Sequence, residues 1–286
     1  MGVAVRGERF VLHRGSPEYP SQLAEIPDPP KALYGIGDPA ALVPGLAIVG
    51  ARHATPYGIR AARLLAGWAA SAGVTVISGA AIGCDREAHT AALEVGGSTV
   101  AVLGCGPDVD YPRRSAGILS DMRQRSAVVS ECPFGQEPLR FAFARRNRII
   151  AGLASAVLVV EAGLPSGTFG TADAALDAGR EVLAVPGSIF SPESRGSNRL
   201  IRQGATVVND VADLASSLGL EGRSGPAPDT QRDSVVRALT ADPMRPDDLA
   251  RSLGLDIVQM ARTLGALEAR GLIARYPDGR YGIGSR

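Results

Sequence analysis

Lysine is almost missing from this chain: of 30 cationic residues only Lys31 is a lysine, and the rest are arginine. That one lysine sits in no G-x-x-x-x-G-K-[ST] string, which excludes ordinary P-loop nucleotide hydrolysis. Cysteine is scarce too. Cys84, Cys105 and Cys132 are widely spaced and free of C-x-x-C pairing, so neither a disulfide framework nor a zinc site is expected, and all three read as small buried apolar residues. His13, His53 and His89 are equally scattered, against a histidine metal cluster, and nothing calls for a cofactor. No apolar run approaches the roughly eighteen residues of a membrane span. The start of the chain lacks the basic-then-apolar layout of a secretion signal, so a cytoplasmic home without membrane attachment is expected. A G-x-S-x-G nucleophile elbow is missing. Gly104-x-Gly106 fails as a dinucleotide fingerprint because Pro107 follows it and Val109 replaces the third glycine.

Charge is nearly balanced, at +1 over 286 residues, so affinity for a polyanion has to come from a local patch. One exists. Leu139 to Leu153 reads L-R-F-A-F-A-R-R-N-R-I-I-A-G-L, and no acid occurs from Pro138 through Val160. Guanidinium forks match phosphate oxygens bidentately and aromatic faces stack on bases, the two requirements of a single-stranded nucleic-acid site. A merely solvated helix face is the alternative. The run passes directly into the apolar segment Ala156 to Val160, which places it against a core and favours binding.

Short apolar segments alternate with helical ones from Leu46 to about Leu218, the pattern of a doubly wound α/β domain with a mostly parallel sheet. Strands are predicted near Leu46–Val49, Val74–Ser78, Thr99–Leu103, Ala127–Ser130, Val157–Val160 and Val182–Val185. A helix from about Tyr57 to Ser71 places Trp68 in the core. Residues 1–45, with Pro27, Pro29, Pro30, Pro39 and Pro44, read as an extended lead-in to a domain ending at 218. Residues 219–230 lose hydrophobic periodicity and read as a linker. A second unit, 231–286, offers a helix bearing Val235, Val236 and Leu239, a second over Pro246–Leu253 and a third over Asp256–Ala269. Its apolar positions are Ile257, Met260, Leu264 and Leu267. A hairpin over Leu272–Ile283, turning at Pro277-Asp278-Gly279, completes a winged helix-turn-helix. The third helix would expose Gln259, Arg262, Thr263 and Arg270, for double-stranded DNA or for a protein.

Glycine-containing turns follow successive strands at Gly50, at Gly79 to Gly83, at Gly104 to Gly106 and at Ser166 to Thr171. Strand ends of an open parallel sheet are where such folds bind ligands. The last turn, ahead of a helix predicted near Ala172, is a candidate phosphate cradle built from main-chain amides. Asp85 is predicted to cap a helix while His89 hydrogen-bonds one turn along. Glu161 is placed to pair with an arginine of residues 145–148.

Several strings together resemble the DNA-processing protein A family: V-G-A-R at 49–52, S-G-A-A-I-G-C-D-R-E-A-H at 78–89, V-L-G-C-G-P-D-V-D-Y-P at 102–112, S-E-C-P-F-G at 130–135, R-R-N-R-I-I-A-G-L at 145–153 and A-V-P-G at 184–187. The resemblance covers roughly residues 18–210 and implies an extended Rossmann-like domain, with the C-terminal winged helix resembling a tail domain many members carry. It also implies no catalysis, a homodimer, binding of single-stranded DNA without sequence preference, and loading of the recombinase RecA during natural transformation. Phosphates are then expected at Arg52, Arg140, Arg145, Arg146, Asn147 and Arg148 and at the Ser166, Gly167 and Thr168 loop, with Phe143 stacking on a base. The chain departs from the family at Ser115, usually Asn, at Ala144, usually Pro, at Cys84, usually Ile, and at Thr168 to Thr171. A competing resemblance, to lysine-decarboxylase-like phosphoribohydrolases, rests on Pro165 to Thr171, but Ala174 stands where their catalytic glutamate belongs.

Overall fold

Alternating apolar residues give each central strand two buried faces, and the sheet they build organises the first of two units. The computed structural model describes residues 7–222, 230–269 and 271–283. Contacts divide the chain into residues 1–225 and 226–286. In the first unit nine strands are β1 (Arg9–His13), β2 (Ala32–Gly37), β3 (Gly45–Val49), β4 (Val76–Ser78), β5 (Thr99–Leu103), β6 (Ala127–Ser130), β7 (Ala154–Val159), β8 (Glu181–Ala184) and β9 (Thr206–Val207). Its helices are α1 (Ser21–Ala24), α2 (Pro56–Ser71), α3 (Cys84–Glu94), α4 (Ala116–Arg125), α5 (Arg140–Leu153), α6 (Phe169–Asp177), α7 (Arg195–Arg202) and α8 (Val211–Ser217).

The sheet order is β1-β2-β6-β5-β4-β3-β7-β8-β9. Strands β3 to β9 run parallel, whereas β2 pairs antiparallel with both β6 and β1. The doubly wound sheet expected from the alternation is present. Progress runs outward from β3 through β4, β5 and β6, then returns by α5 to β7 on the other side of β3. Strand order therefore reverses between β3 and β7, and open α/β sheets bind ligands at such a point. One face buries Ala47, Val49, Val102 and Val157 against Ile149 and Ile150 of α5; the other buries Leu46, Ile48 and Leu158 against α2 and α3. Successive residues of a strand point oppositely, so a single run serves both layers. Trp68 is buried in the second layer, as its helical position requires.

The lead-in reading of residues 1–45 is corrected. β1 and β2 form an antiparallel hairpin on the edge of β6, and the segment carrying Pro27, Pro29 and Pro30 connects them. Proline density marked that connection and masked the strands beside it, while β2 keeps Leu33 and Ile36 fully buried.

In the second unit α9 (Thr230–Ala241), α10 (Pro246–Leu253) and α11 (Ile257–Ala269) pack Val235, Leu239, Leu249, Met260, Leu264 and Leu267 into a separate core. The hairpin β10 (Ile273–Arg275) and β11 (Tyr281–Ile283) adds Ile273. Asp256 accepts from the amides of Val258 and Gln259 and so starts α11. Ile257 departs from its predicted inward position and is exposed, as is Val258, because the core-facing stripe begins one turn later at Met260. Thr263 returns its hydroxyl to the Gln259 carbonyl. The linker reading falls largely on residues 223–229, and Arg270 likewise lies outside the described residues.

Candidate nucleic-acid interface

The turns that follow β3 and β7 at the reversal point frame, with α5, a cleft of about 650 Å³. Arg52 from the turn after β3, Arg140, Phe143, Arg146 and Asn147 from α5, and Ser166, Gly167 and Thr168 from the turn after β7 all line it. Arg52 and Arg140 are exposed and hold no ion pair among the described residues. Arg140 opens α5, whose first turn contains no acid and whose N-terminus has no side-chain cap. The partial positive charge of a helix start thus adds to the guanidinium charge at this end of the cleft.

Arg146, expected to meet phosphate directly, sits deeper than that expectation placed it. It is buried beneath Gly79 and donates to the Val102 carbonyl, with its Nε left without a partner among the described residues. Burial pushes its pKa down, an effect that the neighbouring Asp85 carboxylate opposes. Burial likewise pushes the Asp85 carboxyl up, against the attraction of Arg146 and bonds from the Ala81 and Gly79 amides. Arg146 is therefore a charged floor. Asp85 does not cap α3, whose N-cap is Gly83; it folds back onto the Gly79 loop instead. His89 reaches the Thr99 hydroxyl of β5 at 2.7 Å, not a residue one turn along. Burial, reinforced by Arg146, lowers its pKa to about 3, so it is neutral.

Arg145 and Arg148 lie on the opposite side of α5 and do not line the cleft. Arg148 grips both oxygens of Glu131, at 3.1 and 2.9 Å, and Asp28 at 3.0 Å; Arg145 lies 3.5 Å from Glu131. The acid-free run has acids after all, brought from outside it by the fold. The pairing foreseen for Glu161 with that cluster does not form. Glu161 accepts from the Thr55 amide at 2.8 Å and from the Thr55 hydroxyl, while Thr55 caps α2 through the Gly58 amide at 3.2 Å. A buried carboxylate thus fixes the start of α2 next to Arg52.

The glycine turns divide by purpose. A Cβ on Gly50 would collide with Cys84, one on Gly79 with Arg146, and one on Gly104 with Phe143. These three are glycine so that chain segments can approach one another, a role that needs no anion. Cys84, where the family pattern has Ile, fits the limited space under Gly50. Gly167 has open space at its Cβ position. Helix α6 begins at Phe169, ahead of the predicted Ala172, and the amides of Phe169, Gly170 and Thr171 already bond to Ser166, Gly167 and Thr168 carbonyls. Those three amides are consequently not free to meet a phosphate. The Ser166 hydroxyl also accepts from the Thr168 amide at 3.2 Å.

Tyr111 escaped sequence reasoning, although the D-Y-P string flagged its position. Its ring lies 5.2 Å from that of Phe143, and both line a side niche of about 140 Å³ with Arg52, Gly79, Gly104 and Arg146. Buried Arg123 holds this loop by donating to the Pro107 carbonyl at 2.9 Å and to Asp110 at 2.7 Å. Ser115 donates to the carbonyl of Ala80, the one non-glycine residue with positive φ among those described, so the shorter side chain still braces the Gly79 loop.

A cleft at the reversal point of a doubly wound sheet, lined by guanidinium groups that hold no ion pair among the described residues, places the first unit among Rossmann-like folds. Comparison with known proteins specifies which. The family model for DNA recombination-mediator protein A matches residues 10–219, and that for the DprA winged helix domain matches residues 221–279. The chain belongs to the DNA recombination-mediator protein A family. It is 41% identical over 276 residues to Protein Smf of Escherichia coli, covering 91% of this chain and 74% of that protein. The share of curated relatives spanned falls to 52% for Protein Smf of Synechocystis. The solved structure of DNA processing protein A from Streptococcus pneumoniae superposes with a TM-score of 0.69 at 37% identity, covering 74% of each chain. That of DNA processing protein A from Helicobacter pylori, described for its single-stranded DNA binding mode, gives 0.68 at 28% identity, covering 75% of this chain and 97% of that one. This family membership replaces the phosphoribohydrolase alternative. Ala174 packs half-buried against the core where that reaction would need a carboxylate.

Among the described residues no helix is long and apolar enough to cross a membrane.

Proposed function

We propose that the protein binds single-stranded DNA in the cleft without reading its sequence. One observation carries the reading: Arg52, Arg140, Asn147 and the Ser166–Thr168 turn line the same open cleft as Phe143, whose ring neighbours Tyr111. Guanidinium and main-chain groups suit a sugar-phosphate backbone, and aromatic rings suit bases of any identity. The Helicobacter pylori relative, described as binding single-stranded DNA, supports it. Arg52, Arg140 and Asn147 would hold phosphates, Phe143 would stack, and Arg146 would supply charge from below. Arg145 and Arg148 would act indirectly, by fixing α5.

The family resemblance extends the proposal to a homodimer that hands the strand to RecA in natural transformation and homologous recombination, in the cytoplasm and without catalysis. The organisation proposed is a DNA-binding domain over 1–218, a linker over 219–230 and a winged helix over 231–286. Exposed Gln259 and Arg262 on α11 suit double-stranded DNA, and exposed Ile257 and Val258 suit a protein. Filter binding of oligo-dT across several salt concentrations tests the central claim. Arg52→Ala combined with Arg140→Glu should abolish retention and flatten the salt dependence; unchanged binding by a folded variant would refute the cleft.

A further inference from the structure

We propose that Phe190 is a second base-stacking residue, placed outside the cleft, which extends the bound strand past the β8 side of its rim. The inference rests on the single-stranded DNA reading and adds a contact to it. Phe190 and Ile189 are 89% and 81% exposed, the highest values among the large apolar side chains described. Full hydration of two neighbouring apolar residues asks for an occupant.

The loop that carries them is pinned at both ends. At its start Gly187 donates to Asn198 at 3.1 Å and accepts from it at 2.9 Å. At the tip the Ser188 hydroxyl accepts from the Phe190 amide at 3.2 Å, and the Ser191 amide bonds back to the Ser188 carbonyl at 3.1 Å. At its end Gly196 donates to the Ala162 carbonyl. Tyr57 adds a bond to the Pro186 carbonyl at 2.6 Å. A held tip presents its ring with little ordering cost on binding.

Continuity with the cleft names the occupant. Glu193, three residues after Phe190, lines the cleft, and Pro192 and Glu193 approach Gly163 beside the Ser166 turn. Apart from Asp85, which is buried beside Arg146, Glu193 is the only acid in the cleft lining among the described residues. A carboxylate there repels phosphate. The strand leaving over this rim thus turns its bases, not its backbone, toward the loop, and a phenylalanine face accepts any base.

The test compares wild type, Phe190→Ala and Phe190→Trp on oligo-dT and on an abasic oligonucleotide of equal length, with Arg52→Ala/Arg140→Glu alongside. Phe190→Ala should weaken oligo-dT binding about tenfold with an unchanged salt slope, since no phosphate contact is lost. Phe190→Trp should bind as wild type, and its added indole emission should be quenched by oligo-dT, over the constant signal of buried Trp68. On the abasic strand wild type and Phe190→Ala should be equal. Equal oligo-dT affinity of wild type and Phe190→Ala, a deficit that persists on the abasic strand, or a changed sedimentation mass with unchanged affinity would overturn the proposal. If the Arg52/Arg140 variant loses binding while Phe190→Ala does not, only the loop assignment fails; if both bind normally, the cleft reading fails with it.

Discussion

At the scale of single residues, chemistry was legible in the sequence but partnership was not. The family resemblance marked Arg52 and Arg140, and the charge of the run marked Arg145, Arg146 and Arg148 no less; in the fold Arg52 and Arg140 are exposed along the cleft, whereas Arg146 is buried beneath it. The ion pairs that occupy Arg148 could not be read, since its partners Glu131 and Asp28 are 17 and 120 positions away along the chain. Its replacement is accordingly a stability experiment. Arg148→Ala leaves the largely buried Glu131 without its bidentate partner and should cost about 2 kcal/mol in urea unfolding, with oligo-dT affinity falling far less than in the Arg52/Arg140 variant. His89 gives a prediction in pH. Its folded pKa of about 3 lies below the usual 6.5, so the unfolded chain binds the proton first. Its contribution is complete above the unfolded value and is lost as pH falls toward 3, at up to roughly 1.4 kcal/mol per pH unit. Thermal unfolding between pH 7 and pH 4 should show a shallower acid limb for His89→Gln than for wild type.

Elements were legible where apolar runs were long and flanked by turns, which is why β3 and β5 stand where the pattern put them. Short or edge strands were not: β1 is mostly solvent-facing, β9 has two residues, and β2 follows a proline cluster. The shape of the cleft also depends on which element braces which loop. Arg123 in α4 holds the Pro107–Asp110 stretch through three bonds, so Arg123→Ala should cost about 2–4 kcal/mol and loosen Tyr111. Limited proteolysis should then cut first within residues 105–112, a preference that wild type should lack. Trp68 on α2 is a pure packing residue; Trp68→Ala should cost about 3–5 kcal/mol, with binding retained by whatever fraction stays folded.

For the whole molecule, the periodicity of the sequence announced a doubly wound sheet but not where its strand order would reverse. Reversal is decided by the crossover through α5, whose two ends join strands on opposite sides of β3. Residues far apart in the chain meet at that point, so the cleft belongs to the first unit alone. A protein ending at residue 225 should keep oligo-dT affinity within about twofold, measured by filter binding at fixed salt; complete loss would move the main site to the winged helix. The hairpin of β1 and β2 has its own consequence for anyone shortening the chain. It occupies the hydrogen-bonding edge of β6, a strand whose four residues are all buried. Removing residues 1–37 would bare that edge as a sticky template, and light scattering should detect self-association where the intact protein stays dispersed.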